Sequence, residues 1–330
     1  MSEPLLEVRN LVKHFQVGGR LLPRRPPSIL RAVDDVSFEL PKGKTLGLVG
    51  ETGCGKSTTA RCILRLLDPN SGQVRFEGED ILQFDRERLR VWRREAQIIF
   101  QDPYASLDPR MSAFEIIAEP LRVHGLYETR GGKKWIFELL ELVGLNPDHS
   151  RRYAHEFSGG QRQRVSIARA LALHPKLVVC DEPVSALDVS IRSQIVNLLR
   201  DLQQQLGLTY LFIAHDLSLV RIVCDNIAVM YLGRIVELTD RISLYRSPHH
   251  PYTQSLLSAI PIPDPHKEAV RRRIILQGEV PSPINPPTGC AFHPRCFKAQ
   301  PVCSDKEPAL DVVATGHRAA CFFAAPAEVV

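Results

Sequence analysis

The run Gly50-Glu-Thr-Gly-Cys-Gly-Lys-Ser57 constrains this chain more than any other stretch of its 330 residues. It follows Thr45-Leu-Gly-Leu-Val49, which reads as a short buried strand, and it precedes residues 58–67, which read as an apolar helix. A glycine-rich loop between a strand and a helix is a phosphate-binding loop of an α/β fold. The glycines let successive backbone N–H groups converge on a polyphosphate, Lys56 reaches the β- and γ-phosphates, and Ser57 offers its hydroxyl to Mg²⁺. Gly50, Glu51, Thr52, Gly53, Cys54, Gly55, Lys56, Ser57 and Thr58 are therefore the expected nucleotide loop. Cys54, near a helix N-terminus, is expected to have a lowered thiol pKa and to be a point of inactivation by alkylation.

A second apolar run, Leu177-Val-Val-Cys, ends in Asp181 and Glu182. Two carboxylates at the C-terminal end of a buried parallel strand reach the ligand-binding rim of an α/β sheet. With the loop in place, Asp181 is expected to hold Mg²⁺ through water and Glu182 to polarise an attacking water. Between these motifs lies Phe157-Ser-Gly-Gly-Gln161, leading into the helical run of residues 163–172. Ser158, Gly159, Gly160 and Gln161 thus present a hydroxyl and open N–H groups at a helix N-terminus, a second phosphate-binding surface.

In this order and spacing, residues 5 to 240 resemble the nucleotide-binding subunit of ATP-binding-cassette (ABC) transporters. The resemblance implies an α/β P-loop NTPase with an antiparallel β subdomain and an α-helical subdomain, binding ATP and Mg²⁺. It assigns Phe15 to stacking on adenine and Gln101 to sensing Mg²⁺ and the attacking water. Ser185, Ala186, Leu187 and Asp188 become the loop that passes between two cassettes, and His215 the switch histidine at the γ-phosphate. It also implies a head-to-tail dimer in which Ser158 to Gln161 close on the partner's ATP. The signature begins with Phe157 where many members carry Leu, which keeps an apolar anchor.

The branch is indicated by Gln101-Asp-Pro-Tyr-Ala-Ser-Leu-Asp-Pro109, by Ser247-Pro-His-His-Pro-Tyr-Thr253, by Gly278-Glu-Val-Pro-Ser-Pro283 and by Gly289-Cys-Ala-Phe-His-Pro-Arg-Cys296, which resemble the dipeptide and oligopeptide importer ATPases. The expected organisation is residues 1–102 as the first part of the ATP-binding core, 103–157 as the helical subdomain, 158–240 as the rest of the core and 241–330 as a cysteine-rich extension. Residues 18–30, with their Pro23-Arg-Arg-Pro-Pro27 centre, read as a solvated loop, and residues 86–94 as an amphipathic surface helix.

Cys290, Cys296, Cys303 and Cys321 crowd the extension, separated by five, six and seventeen residues. Four thiols in a proline-rich segment with little apolar material point to a cross-link that replaces a core. Spacing alone leaves zinc and a [4Fe–4S] cluster open, with His293 and His317 as further ligands for zinc. The resemblance favours the cluster.

Lys and Arg total 42 against 37 Asp and Glu, too slight an excess to indicate nucleic acid as partner. No apolar run approaches the about 20 residues of a membrane span, and the start lacks a signal-peptide core. The resemblance therefore implies a peripheral protein at the cytoplasmic face of the inner membrane. Its partners would be a second ATPase subunit, a paralogue or a second copy, two permease subunits and, indirectly, an extracytoplasmic binding protein. Import of peptides is the expected role; related importers carry nickel, glutathione or other small solutes. A soluble ABC protein of translation or DNA repair would have two cassettes or a coiled-coil insertion, and this chain has neither. A third reading makes the cysteine tail the centre of a redox-responsive regulator.

Overall fold

A computed structural model describes residues 3–18, 28–261, 266 and 273–327. The chain divides into two compact units, Met1–Leu40 with Thr45–Leu82 and Ala214–Val330 in the first, and Pro41–Lys44 with Gln83–Ile213 in the second.

The first unit opens with β1 (Leu6–Val17) and β2 (Ser28–Leu40), paired antiparallel from Leu6 opposite Leu40 to Val17 opposite Ser28. These strands are longer than their apolar residues alone would support, because their polar outer halves pair with each other through register shifts. Of the basic, proline-bearing stretch between them, residues 19–27 lie outside the described residues. β3 (Thr45–Val49) is buried at every position, as a parallel strand covered on both faces must be. After it come α1 (Lys56–Ile63), β4 (Ser71–Phe76) and β5 (Glu79–Asp80). β1, β2, β4 and β5 form one antiparallel sheet in the order β2-β1-β4-β5, burying Leu6, Val8, Phe38, Leu40 and Val74.

The second unit holds α2 (Arg86–Trp92), β6 (Ala96–Ile99), α3 (Pro103–Ser106), α4 (Ala113–Val123) and α5 (Gly132–Leu142). It continues with α6 (Gly159–Leu171), β7 (Leu177–Asp181), α7 (Val189–Leu206) and β8 (Thr209–Ala214). β6, β7 and β8 pair in parallel, with Ala96 opposite Leu177 and Leu177 opposite Thr209. Helices α4 and α6 both begin with a capping box, Ser112 with Glu115 and Ser158 with Gln161, which satisfies two of the free donors of each first turn. The expected amphipathic helix at 86–94 is α2, with Trp92 buried and its arginines outward.

Back in the first unit, the chain forms α8 (Leu217–Val223), β9 (Asn226–Tyr231), β10 (Arg234–Asp240), α9 (Arg241–Arg246) and α10 (Pro251–Ser258). Two short strands follow, β11 (Asp311–Ala314) and β12 (His317–Ala319). β3 pairs in parallel with β9, while β10 pairs antiparallel with both β9 and β12. The cysteine-rich extension is thereby a continuation of the first unit's own sheet: Ala319 lies opposite Glu237.

Candidate active site

The glycine-rich loop joins β3 to α1 as its sequence requires. Gly55 caps α1 at φ 109°, and a Cβ there would lie 2.1 Å from the Ala32 carbonyl oxygen, so only glycine fits. Lys56 is buried, and its ammonium donates to the carbonyls of Gly50 at 2.8 Å and Glu51 at 2.9 Å. The N–H of Glu51 donates to the Tyr252 hydroxyl at 3.0 Å, and the Glu51 carboxylate accepts both terminal nitrogens of Arg295. Cys54 departs from expectation. Its thiol is buried, and desolvation outweighs the nearby Lys56 ammonium, 3.8 Å away, and raises the pKa. A helix N-terminus lowers a thiol pKa only where water or charge can stabilise the thiolate, and here burial wins.

In the same unit Phe15 lies half-buried on β1 with the Lys13 ammonium 5.0 Å from its ring centre. His215 is exposed just after β8, and Asp216 beside it caps α8 by accepting the Ser218 N–H at 2.8 Å.

The second unit carries the acids. Asp181 is buried at the end of β7. Glu182 follows in the left-handed region at φ 48°, a conformation unusual for a non-glycine residue and one that re-aims its side chain just past the strand end. Its N–H donates to the Ile213 carbonyl on β8, and its carbonyl accepts the Ser185 hydroxyl at 3.1 Å. Its carboxylate accepts the Gln101 amide at 2.9 Å, so two residues far apart in sequence meet. Beyond Gln101 the extended loop folds into α3, capped by Asp102. Arg169 donates to the Ser106 carbonyl, and Arg162 stacks its guanidinium 3.8 Å from the centre of the exposed Tyr104 ring.

The signature residues start α6. Ser158 accepts the Gln161 N–H at 3.3 Å while the Gln161 side chain accepts the Ser158 N–H at 3.0 Å. Gly160 is fixed by close approach, since a Cβ there would stand 2.4 Å from Cγ2 of Ile191 on α7. Asp188, last of the Ser185-Ala186-Leu187-Asp188 turn, caps α7 by accepting the Ile191 N–H, and this bond together with that from Ser190 holds its carboxyl pKa low.

Cys290, Cys296, Cys303 and Cys321 line one small pocket with His250, Phe292 and Lys298. Burial raises the pKa of Cys290 to about 11 and pushes Cys296 and Cys321 up as well. Backbone N–H groups of Lys298 and Phe323 point at the sulfurs of Cys296 and Cys321, each at 3.4 Å. His293 is engaged with the Cys290 carbonyl, and His317 with Glu237 at 2.6 Å. Sequence reading missed Glu237 and His249, which with His317 form a buried trio whose ligand atoms all lie within 4.8 Å of one another. A lone Glu inside the apolar strand β10 was its one signal. No helix among the described residues is long and apolar enough to cross a membrane.

Residues 33–185 match the family described as ABC transporter, and residues 236–303 match the oligopeptide/dipeptide transporter C-terminal region. The oligopeptide transport ATP-binding protein AppF of Bacillus subtilis is 51% identical, over 97% of this chain and 97% of its own. YkfD of the same organism is 52% identical over 98% of this chain and 97% of its own. Among solved structures, the ATP-binding cassette MJ0796, a dimer bound to ADP and Pi, aligns with TM-score 0.62 at 28% identity, over 72% of this chain and 98% of that one. The cassette CbiO1 from Clostridium perfringens gives 0.62 at 25% identity, over 74% of this chain and 91% of its own.

Proposed function

This chain belongs to the ABC-transporter ATP-binding proteins of the oligopeptide and dipeptide type, and on that premise we propose that it powers uptake of dipeptides or oligopeptides across the cell membrane. The cargo reading is supported by likeness along the whole chain, C-terminal region included, to relatives named for oligopeptide transport. The observation that carries the catalytic reading is Glu182, turned out of β7 at φ 48° and held through its carboxylate by Gln101. A carboxylate so placed accepts the proton of a water, and Gln101 orients both.

Lys56 and the amides of residues 50–58 hold the triphosphate, Phe15 stacks on the adenine and His215 contacts the γ-phosphate. Ser57 and Asp181 would hold Mg²⁺, whose charge neutralises the phosphates. Ser158, Gly159, Gly160 and Gln161 serve the ATP of a second ATPase subunit, with Ser185 to Asp188 at the junction. In this reading the loop at Gln101–Pro109, with Tyr104 exposed, is the surface offered to two membrane permeases, and the protein works at the cytoplasmic face of the membrane. An extracytoplasmic binding protein delivers the peptide.

The four thiols of the extension hold a [4Fe–4S] cluster in this reading. Tetrahedral zinc with bonds of about 2.3 Å draws its sulfurs to within about 4 Å of each other. Among the described residues, no three of these thiols have their sulfurs all within 4.8 Å of one another. All four thiols line one small pocket. Cys290, Cys296, Cys303 and Cys321 would hold such a cluster, which would cross-link a segment that has little core of its own. Stoichiometric zinc in anaerobically purified, colourless protein would overturn that part.

The central test is Glu182→Gln in the assembled transporter. MgATP binding is retained, while hydrolysis and peptide uptake fall at least a hundredfold, on the order expected for loss of a general base. Uptake at the wild-type rate would refute the assignment.

A further inference from the structure

Residue 51 is the second residue of the nucleotide loop, and it is tied down at three places. Its N–H donates to Tyr252, its carbonyl accepts Lys56, and its carboxylate receives Arg295 in a two-pronged pair of 2.9 and 3.1 Å. The Arg295 side chain is 8% exposed and that of Glu51 27%, so this pair is shielded from water, unlike the surface ion pairs that contribute little. Arg295 comes from the cysteine-bearing turn, one residue before Cys296. Phe292 in that turn is buried, with Tyr231, Tyr252 and His250 at ring distances of 5.3, 5.4 and 5.7 Å. An aromatic base thus aims the guanidinium at the loop.

A carboxylate at this position is electrostatically awkward. The loop's amides and Lys56 are arranged to receive a triphosphate, and an uncompensated negative charge two residues before Gly53 would oppose it. We infer that Arg295 is a positioning residue of the nucleotide site: it cancels the charge of Glu51 and holds the first turn of the loop, making ATP binding conditional on a seated C-terminal extension. The inference rests on residues 50–58 being the triphosphate loop. It differs from a purely adhesive ion pair in the sign of its consequences. If the pair only fastened the extension, removing either partner would weaken nucleotide binding alike. If Arg295 acts on the charge of Glu51, removing the arginine weakens binding and removing the glutamate does not.

The test is the equilibrium dissociation constant of MgATP, read by displacement of a fluorescent ATP analogue from the full chain, for wild type, Arg295→Met, Glu51→Gln and the double variant. Arg295→Met is expected to bind about tenfold more weakly, which corresponds to about 1.4 kcal/mol. Glu51→Gln binds at least as tightly as wild type, the double variant returns to within about twofold of Glu51→Gln, and Arg295→Lys recovers part of the loss. Wild-type affinity in Arg295→Met, or a double variant as weak as Arg295→Met, overturns the inference. If Arg295→Met cannot be obtained folded, the double variant against Glu51→Gln decides in the same way. Wild-type protein that binds no MgATP would instead refute the loop assignment itself.

Discussion

Glu237 is buried to 0% exposure in β10, and three donors converge on its carboxylate. The N–H of His249 reaches one oxygen at 2.7 Å and the His317 imidazole reaches the same oxygen at 2.6 Å, while the N–H of His250 reaches the other at 3.1 Å. These bonds outweigh the cost of burying the charge and hold its pKa below the ordinary carboxylate value. Glu237→Gln keeps the shape and removes the charge. Its single oxygen can serve only one side of the site, and its new NH₂ group faces a donor. One buried donor left without an acceptor costs about 1–3 kcal/mol, and each hydrogen bond to the charged carboxylate that is lost or weakened about 1.5–3 kcal/mol. The expected loss is therefore about 3–5 kcal/mol, felt first in the extension, because the three donors come from the turn before α10 and from β12.

Urea unfolding of the full chain, followed by labelling of Cys303, reads this locally rather than assuming one transition for both units. With a slope of about 3 kcal/mol per molar urea, the midpoint should fall by about 1–1.7 M. A fall under about 0.3 M would mean that the three bonds are replaceable and would refute the reasoning. Acid should reproduce part of the effect: Glu237 has a lowered folded pKa, so its contribution is complete above about pH 4.5 and is lost as pH falls through the folded value.

His250 titrates with a different window: burial lowers its pKa to about 4 from an ordinary value of 6.5. The folded state holds it neutral, so stability is constant above about pH 6.5 and declines below it, by about 2 kcal/mol at pH 5 from this group alone. His250→Asn keeps an acceptor for the Tyr252 N–H at the start of α10 and should flatten the stability profile between pH 6.5 and 4.5; an unchanged slope in urea midpoints would refute the assignment. Gly160→Ala forces a Cβ to within 2.4 Å of Ile191, an overpacking of about 1–3 kcal/mol, and should slow ATP hydrolysis by the assembled transporter about tenfold. Pairing it with Ile191→Ala removes the clashing methyl and should restore most of the rate, whereas no recovery would show that the alanine acts on the nucleotide rather than on α7.

What the sequence made legible was local. The glycine-rich loop between β3 and α1 is eight contiguous residues, β3, β7 and β8 are short apolar runs, and the capping box of α6 is read directly from Ser158 and Gln161. The failures have physical reasons. Cys54 looked reactive because a helix N-terminus is visible in sequence while desolvation is not. The outer halves of β1 and β2 are polar, and only their mutual pairing makes them strands. Arg295 and Glu51 stand 244 positions apart, and His317 and Glu237 stand 80 apart, so neither pairing leaves a periodic or spacing signal. The only hint was chemical: a Glu amid the apolar residues of β10 must find donors somewhere.

Those two long-range pairs share a logic. Glu51 and Glu237 are both carboxylates of the nucleotide-binding unit, and each receives a partner contributed by the C-terminal extension, Arg295 in one case and His317 in the other. Deleting a module that merely rested on the surface would expose apolar area and little else. Deleting this one would leave one charge uncompensated in the nucleotide loop and another inside β10, without its imidazole partner. The first opposes ATP and the second opposes folding. An extension with little apolar material of its own is thus anchored by acids that the rest of the unit cannot satisfy alone, and the four cysteines lie on the same segment that supplies both partners. Any loosening of the cysteine-bearing turn would reach the glycine-rich loop through Phe292 and Arg295.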